Sequence, residues 1–448
     1  MPGALVAAWL TLAGVAIAVW PRVGDGRAHR AWIVVLALVF ALVLQIVVAT
    51  VPDDAFVTFR YARNIAEGYG AVYTIGEQTQ GLPNFLWLVL VTLPGAAFGV
   101  DIVTGAVVLG IAATLGCVVL AYLLAERFAR GAAVVAALLT AGASILAAHG
   151  LAGTETPLFV LLVLAVCLAL TAGHPLVAGV LAALAVMTRS DGAVLAVLGE
   201  LWLVLTAVRR RSSWWAPAGY LLGALVFLVP WWVWEATYYG RGRSAWPAPA
   251  QLPYGFLLCT LAAVGVAVLC AKAGERRNQP APRPRRSLAE RRVVPLVALV
   301  LCAVSVPVAF AVQQVVHADR ERLAQTTEIG HWLRDRLPAG SVIDTSGNAA
   351  LAFRAGSRMR ITGVTASGPV DEYAPVAHFG LPVLAAPLAW YVRAQDCGIA
   401  EQYAQRYEVA TFQRGGLGWL TIYLRGDVES RLLAQLAGDG KLTYVPCP

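Results

Sequence analysis

The stretch richest in reactive groups is Pro52-Asp53-Asp54-Ala55-Phe56-Val57-Thr58-Phe59-Arg60-Tyr61-Ala62-Arg63-Asn64-Ile65-Ala66-Glu67-Gly68, which begins where a long apolar run ends. Two adjacent carboxylates at the edge of a low-dielectric region repel each other, so one of them should hold its proton more tightly than a free Asp does. That property suits a general base. Helical spacing after the pair sets Arg60, Arg63, Asn64 and Glu67 on one stripe and Val57, Tyr61 and Ile65 on another. An interfacial helix with a basic stripe can hold a lipid-linked phosphate, because a guanidinium binds phosphate oxygens bidentately. The same residues also admit a structural reading, with Asp53 capping its helix and the arginines snorkelling to headgroups.

Two further groups stand at the ends of apolar runs. Gly153-Thr154-Glu155-Thr156-Pro157 sets a carboxylate where one run starts, with His149 just before it, and Thr188-Arg189-Ser190-Asp191-Gly192 sets an ion pair at another boundary. Charges at such depths are costly unless used or paired. Glu155 can equally serve as a cap, and Arg189 can simply pair with Asp191. There is no phosphate-binding Walker pattern and no His or Cys spacing suited to zinc.

The elements that must position these groups are membrane helices. Hydrophobic residues make up 59% and charged residues 13% of the 448 positions, far from the balance of a soluble globular chain. Runs of about 16 to 22 apolar residues are long enough to cross a bilayer as helices. The expected spans are Gly3–Trp20, Ala31–Val51, Ile102–Leu124, Ala132–Ala148, Thr156–Thr171, Pro175–Met187, Gly192–Val208, Ala216–Ala236, Tyr254–Cys270 and Val293–Val315. The net charge of +8 falls in short connections between these runs, which argues for membrane topology and against a nucleic-acid partner. Alternate connections are basic: Arg22, Arg27 and Arg30; Arg127 and Arg130; Arg209 to Arg211; and the Pro-rich stretch Lys272 to Arg292. By the positive-inside rule these face the cytoplasm, provided Phe85–Gly99 dips into the interface instead of crossing.

The expected fold is therefore an α-helical polytopic membrane bundle of about ten transmembrane helices plus interfacial helices. Residues 1–316 form this part, with a first outer loop at 52–84. From Ala318 polar and turn residues return, Gln325–Arg336 is amphipathic and Ser341–Asp344 reads as a strand. Residues 317–448 are expected to form a small extracytoplasmic α/β domain large enough for its own core. Cys397 and Cys447 fall in it and are candidates for a disulfide.

The run Asp53 to Trp87, with Asp53-Asp54-Ala55-Phe56, Phe59-Arg60-Tyr61-Ala62-Arg63-Asn64, Glu67-Gly68 and Asn84-Phe85-Leu86-Trp87, resembles the first periplasmic loop of polytopic GT-C type glycosyltransferases. Among these it most resembles the actinobacterial terminal arabinofuranosyltransferases of cell-wall arabinan synthesis. Gly153-Thr154-Glu155-Thr156 and Thr188-Arg189-Ser190-Asp191-Gly192 echo two later motifs of that group. The resemblance covers roughly the first 245 residues. It implies a plasma-membrane enzyme with a polyprenyl-phosphate sugar donor, a cell-envelope glycan acceptor and an acidic pair at the reaction centre on the extracytoplasmic side.

On this reading Asp54 takes the acceptor hydroxyl proton, and Asp53 positions it or helps hold a divalent cation. Arg60, Arg63 and Arg189 stabilise the leaving lipid phosphate. Glu155, with His149 and Asp191, orients the sugar or acceptor. The alternative is a non-catalytic relative that binds a lipid-linked sugar or assists envelope assembly, since after Tyr239 the chain departs from the family pattern. A transporter would show broken helices with charges near mid-membrane, and it ranks last because the expected spans are nearly charge-free at their centres.

Overall fold

A computed structural model of the protein describes residues 2–19, 27–76, 84–128, 130–209, 211–239, 305–336, 339, 342–344 and 348–362, with strand residues 378–379, 407–413, 419–425 and 442–444. It is mostly α-helical. The expected span Tyr254–Cys270, most of the first half of Val293–Val315, the Lys272–Arg292 stretch and the Cys397–Cys447 pair lie outside the described residues.

In chain order the helices are α1 (Pro2–Val19), α2 (Arg27–Val48), α3 (Ala55–Ala66), α4 (Phe85–Phe98), α5 (Ile102–Glu126), α6 (Arg130–Ala141), α7 (Ser144–Gly150), α8 (Thr156–Ala172), α9 (Pro175–Thr188), α10 (Gly192–Val208), α11 (Trp215–Tyr238), α12 (Ser305–Arg336) and α13 (Ala349–Arg354). Three are long and apolar enough to cross a membrane: Ala28–Val48, Ile102–Glu126 and Trp215–Tyr238. Five shorter apolar helices, in α1, α4, α8, α9 and α10, accompany them. These long apolar helices suggest a multi-pass membrane protein.

Among the described residues the expected spans in α1, α8, α9 and α10 are thus apolar helices shorter than a full crossing, and one more expected span differs in shape. Ala132–Ala148 is not straight: α6 and α7 are bent by 60° at a short break, and count as a fourth crossing only if the bent pair is one span. The break falls at Gly142-Ala143, where the Ala143 N–H turns to Thr140 O at 3.2 Å in a tightened last turn. Glycine and serine at a helix junction are a common cause of such bends.

The chain divides into two units. The first comprises Met1–Thr50, Leu82–Val91 and Val103–Val316. Its apolar interior has two main parts, one formed by α1, α2, α6 and α7 around Phe40, Leu44 and Leu138, the other by α8 to α11 around Phe159, Val166, Ala182 and Tyr220. Backbones approach closely where glycines face neighbours. A Cβ on Gly179 of α9 would collide with the Tyr220 carbonyl of α11, and one on Gly223 of α11 with the Leu176 carbonyl of α9. Small residues at such crossings let membrane helices pack without a hydrophobic driving force between them. At the far end of the bundle Arg30 is buried, its Nε donating to the Tyr122 hydroxyl at 3.2 Å and its Nη2 lying 3.6 Å from Glu126 Oε1.

The second unit comprises Val51–Gly81, Thr92–Ile102 and His317–Pro448. The first loop, expected to belong with residues 1–316, thus groups with the C-terminal residues. The boundary near 316 does not interrupt the chain locally, because α12 runs through it as one helix of 32 residues. β1 (Val342–Asp344) pairs in parallel with β2 (Arg360–Thr362), and α13 is the connection between them. β3 (His378–Phe379), β5 (Trp419–Arg425), β4 (Tyr407–Gln413) and β6 (Leu442–Tyr444) pair antiparallel in that order.

Candidate functional site

The first loop begins with a single turn, in which the Ala55 N–H bonds to Pro52 O at 3.1 Å and the Phe56 N–H to Asp53 O at 2.9 Å. Helix α3 then presents Phe56 and Phe59 to Phe353 of α13, with ring centroids 5.6 and 6.2 Å apart. These rings are fully buried and form the local core of the second unit. Helix α13 starts at Asn348, whose Oδ1 accepts the Leu351 N–H at 2.8 Å. It ends at Gly356, where φ is +92° and a side chain would be strained.

Asp53 does not cap its own helix. Its Oδ2 accepts the Ala349 N–H at 2.7 Å and its Oδ1 the Ala350 N–H at 2.8 Å, so it caps α13. Burial raises the Asp53 pKa, the Ala350 and Ala349 N–H bonds oppose the rise, and the neighbouring Asp54 charge adds to it. Asp53 is therefore the member of the pair whose pKa is raised. Asp54 occupies the cap position of α3 without a side-chain cap bond and is exposed.

The expected basic stripe faces inward. Arg60 is 1% exposed, and its guanidinium donates to four carbonyls: Tyr73 O (2.8 Å), Ala352 O, Gly356 O (3.1 Å) and Met359 O (2.9 Å). Asn64, one turn on, is also buried and donates to Val72 O at 2.7 Å and Tyr73 O at 3.1 Å, pinning the chain that returns after the helix. Arg63 is partly exposed, donates to Phe353 O and stacks 3.5 Å over the Phe353 ring. Burial lowers both guanidiniums to about 10, so each stays charged at neutral pH. Arg60 and Arg63 turn toward α13 and donate to carbonyls at and beyond its last turn. Arg60 is thus buried among backbone carbonyls in this fold.

The divalent cation expected near Asp53 does not fit this arrangement. Both carboxylate oxygens face backbone N–H donors, an environment built for an anion. Among the described residues no group of three or more His, Cys, Asp or Glu could hold a metal ion.

The remaining candidates gather in the first unit. Arg189 closes α9 and Asp191 precedes α10, so the turn between these helices presents both. Arg189 Nη1 lies 2.9 Å from Glu155 Oε1 and Nη2 3.2 Å from Asp191 Oδ2. Asn84 Nδ2 donates to Glu155 Oε2 at 3.3 Å, and Trp87 Nε1 donates to Gly153 O at 3.1 Å. His149 Nδ1 is 3.1 Å from the Thr154 hydroxyl. Two carboxylates around one guanidinium give this group a net negative charge, which suits hydroxyl-rich neutral ligands better than a phosphate. Arg189, expected on the donor phosphate, is held by the carboxylates instead.

Several residues with a part in these arrangements carry no sequence signal: Asn348, the amides of Ala349 and Ala350, and Phe353. Asn84 was legible only as part of the loop motif. Glu200, inside α10, also departs from the charge-free expectation for the spans, and its Oε2 is buried with no hydrogen-bond partner among the described residues.

In comparisons with known proteins, no family model and no curated sequence matches this chain.

Proposed function

We propose that the protein is a GT-C-like membrane glycosyltransferase that moves a sugar from a polyprenyl-phosphate donor to a cell-envelope glycan at the extracytoplasmic face of the plasma membrane. The sugar is arabinofuranose by the resemblance of the first loop. The observation that carries the reading is the division within the acidic pair: Asp53 is tied down by two backbone N–H groups, while Asp54 beside it is exposed. A general base must reach its substrate, and a fixed neighbour must hold it in place. In the step, the acceptor hydroxyl gives its proton to Asp54 as its oxygen bonds the anomeric carbon. The bond from that carbon to the phosphate oxygen breaks, and polyprenyl phosphate leaves with the electron pair. In the first unit, and independently of that step, Glu155 is paired with Arg189 and accepts from Asn84, with Asp191 on the same guanidinium, a group suited to hydroxyl-rich ligands.

A second reading, a non-catalytic scaffold that binds a lipid-linked sugar, is favoured by one observation: Asp53 and Arg60 are both spent on α13. The discriminating experiment is transfer of labelled arabinofuranose from decaprenyl phosphate to an arabinan oligosaccharide by purified protein, wild type against Asp54→Asn, with donor binding measured alongside. Transfer by wild type alone, at equal donor binding, supports the enzyme. Donor binding without transfer by either protein supports the scaffold.

A further inference from the structure

In the second unit, two cationic side chains flank Phe353 and further basic residues lie on a neighbouring helix. Arg63 of α3 stacks over its ring, and Arg354 lies 5.4 Å from the same ring and 5.7 Å from that of Phe56. Helix α12 passes close by: a Cβ on Gly330 would collide with the Arg354 Cβ. One turn later, Arg334 Cγ and Cδ lie 3.4 Å from where a Cβ on Gly356 would stand. His331, between them on α12, has its pKa lowered by burial and by Arg334, Arg354 and Arg63, with Asp335 opposing. Carboxylates lie near as well. Asp335 pairs with Arg334 at 3.1 Å, but that pair is more than half exposed. Asp101 acts on Arg63 and Arg354, and Glu67 on Arg63.

Two polar atoms of this region are buried with no hydrogen-bond partner among the described residues, Arg354 Nε and Ser357 Oγ. Ser357 is 5% exposed and follows Gly356 directly. A buried donor without an acceptor is costly. Arg63 has its task at the Phe353 carbonyl, but Arg354 and Arg334 are surplus to helix capping. The clustered guanidiniums and the orphan Arg354 Nε ask for an acceptor that can serve several guanidiniums together. A phosphate does so, with more charge and more oxygens than a carboxylate.

We propose that Arg63, Arg334, Arg354 and His331 form a binding site for a phosphate group, with the Ser357 hydroxyl as a further donor. The phosphate is either free or the headgroup of a lipid phosphomonoester. Polyprenyl phosphate, the product of the proposed transfer, is itself a lipid phosphomonoester, but the proposal does not rest on that reading: it is tested by binding and not by sugar transfer.

The test uses the full chain purified in an uncharged maltoside detergent, with calorimetry at low salt. Two probes are titrated: inorganic phosphate and short-chain dihexanoyl phosphatidic acid. Wild type binds at least one, and Arg334→Gln and Arg354→Gln each weaken binding about tenfold, the loss of one charge-assisted contact. Arg209→Gln, in the other unit, leaves binding unchanged. Binding of phosphatidic acid alone assigns the site to a lipid headgroup, and equal binding of both assigns it to the phosphate group itself. If Arg354→Gln unfolds the protein, Arg334→Gln decides, because its side chain is 51% exposed and outside the core. Absence of binding by both probes overturns the proposal. So does wild-type affinity in Arg334→Gln, or an equal loss in Arg209→Gln.

Discussion

Asp53 and Arg60 hold opposite ends of the same short helix. The Asp53 carboxylate accepts the first two amides of α13, and the Arg60 guanidinium donates to the carbonyls of Ala352, Gly356 and Met359 at and beyond its last turn. Each charge sits at the dipole end it stabilises. One turn of α3 and its leading loop thus fix a segment nearly three hundred residues further on.

The first prediction concerns Arg60. Arg60→Met should lower the stability of the second unit by about 3 kcal/mol or more, because it strands several buried carbonyls. Thermal unfolding in detergent measures this. A variant as stable as wild type that has lost donor affinity would instead return Arg60 to the role of phosphate ligand.

Asp53 gives a pH signature. Its pKa in the fold lies above its ordinary value of 3.8, so the folded protein holds this proton more tightly than the unfolded chain. Its contribution to stability is then greatest below the unfolded value and declines as pH rises towards the folded one. Asp53→Asn removes that slope, and at neutral pH costs about 1 kcal/mol because one amide N–H now meets an NH2. Unfolding temperatures of both proteins across the acid range check the sign; a steeper slope in the variant contradicts it.

Glu155 and Arg189 should be coupled. In a cycle of Glu155→Gln, Arg189→Gln and the double variant, the interaction energy should be about 1 kcal/mol, as expected for a half-buried pair. Arg189→Gln alone should be the more damaging single change, since it leaves Glu155 and Asp191 facing each other without their shared cation. Additive effects would mean that the two side chains do not hold one another.

Glycines at backbone crossings make the last prediction. Gly179→Ala and Gly330→Ala should each destabilise by about 1–3 kcal/mol, because the new methyl group meets the Tyr220 carbonyl or the Arg354 Cβ. Gly14→Ala, with nothing within 4 Å of the added carbon, should stay near wild type. Comparing unfolding temperatures for the three separates crowding from helix propensity.

Much of the architecture was legible because its cause is local. Apolar runs become helices wherever backbone groups must satisfy each other within the segment, so α1, α2, α5 and α8 to α11 follow the hydropathy of the chain. The α3 helix follows from residue spacing, and the strand at Val342 from a change in composition. Arg189 with Asp191 could be read as a pair from their separation of two residues, a distance that one turn spans.

The partners of Asp53, Arg60 and Arg63 could not be read in this way. Spacing along α3 shows that Arg60 and Asn64 share a face, but not whether water or protein covers it. Their partners are backbone amides and carbonyls around α13, groups that every residue carries and no residue type marks. A sequence displays side chains, whereas these bonds are made to main chain brought close by folding. The amino-acid sequence by itself therefore determined that the protein is built of apolar helices with charge concentrated at their ends. Tertiary structure alone decided which of those charges are spent holding the fold and which, like Asp54, remain exposed.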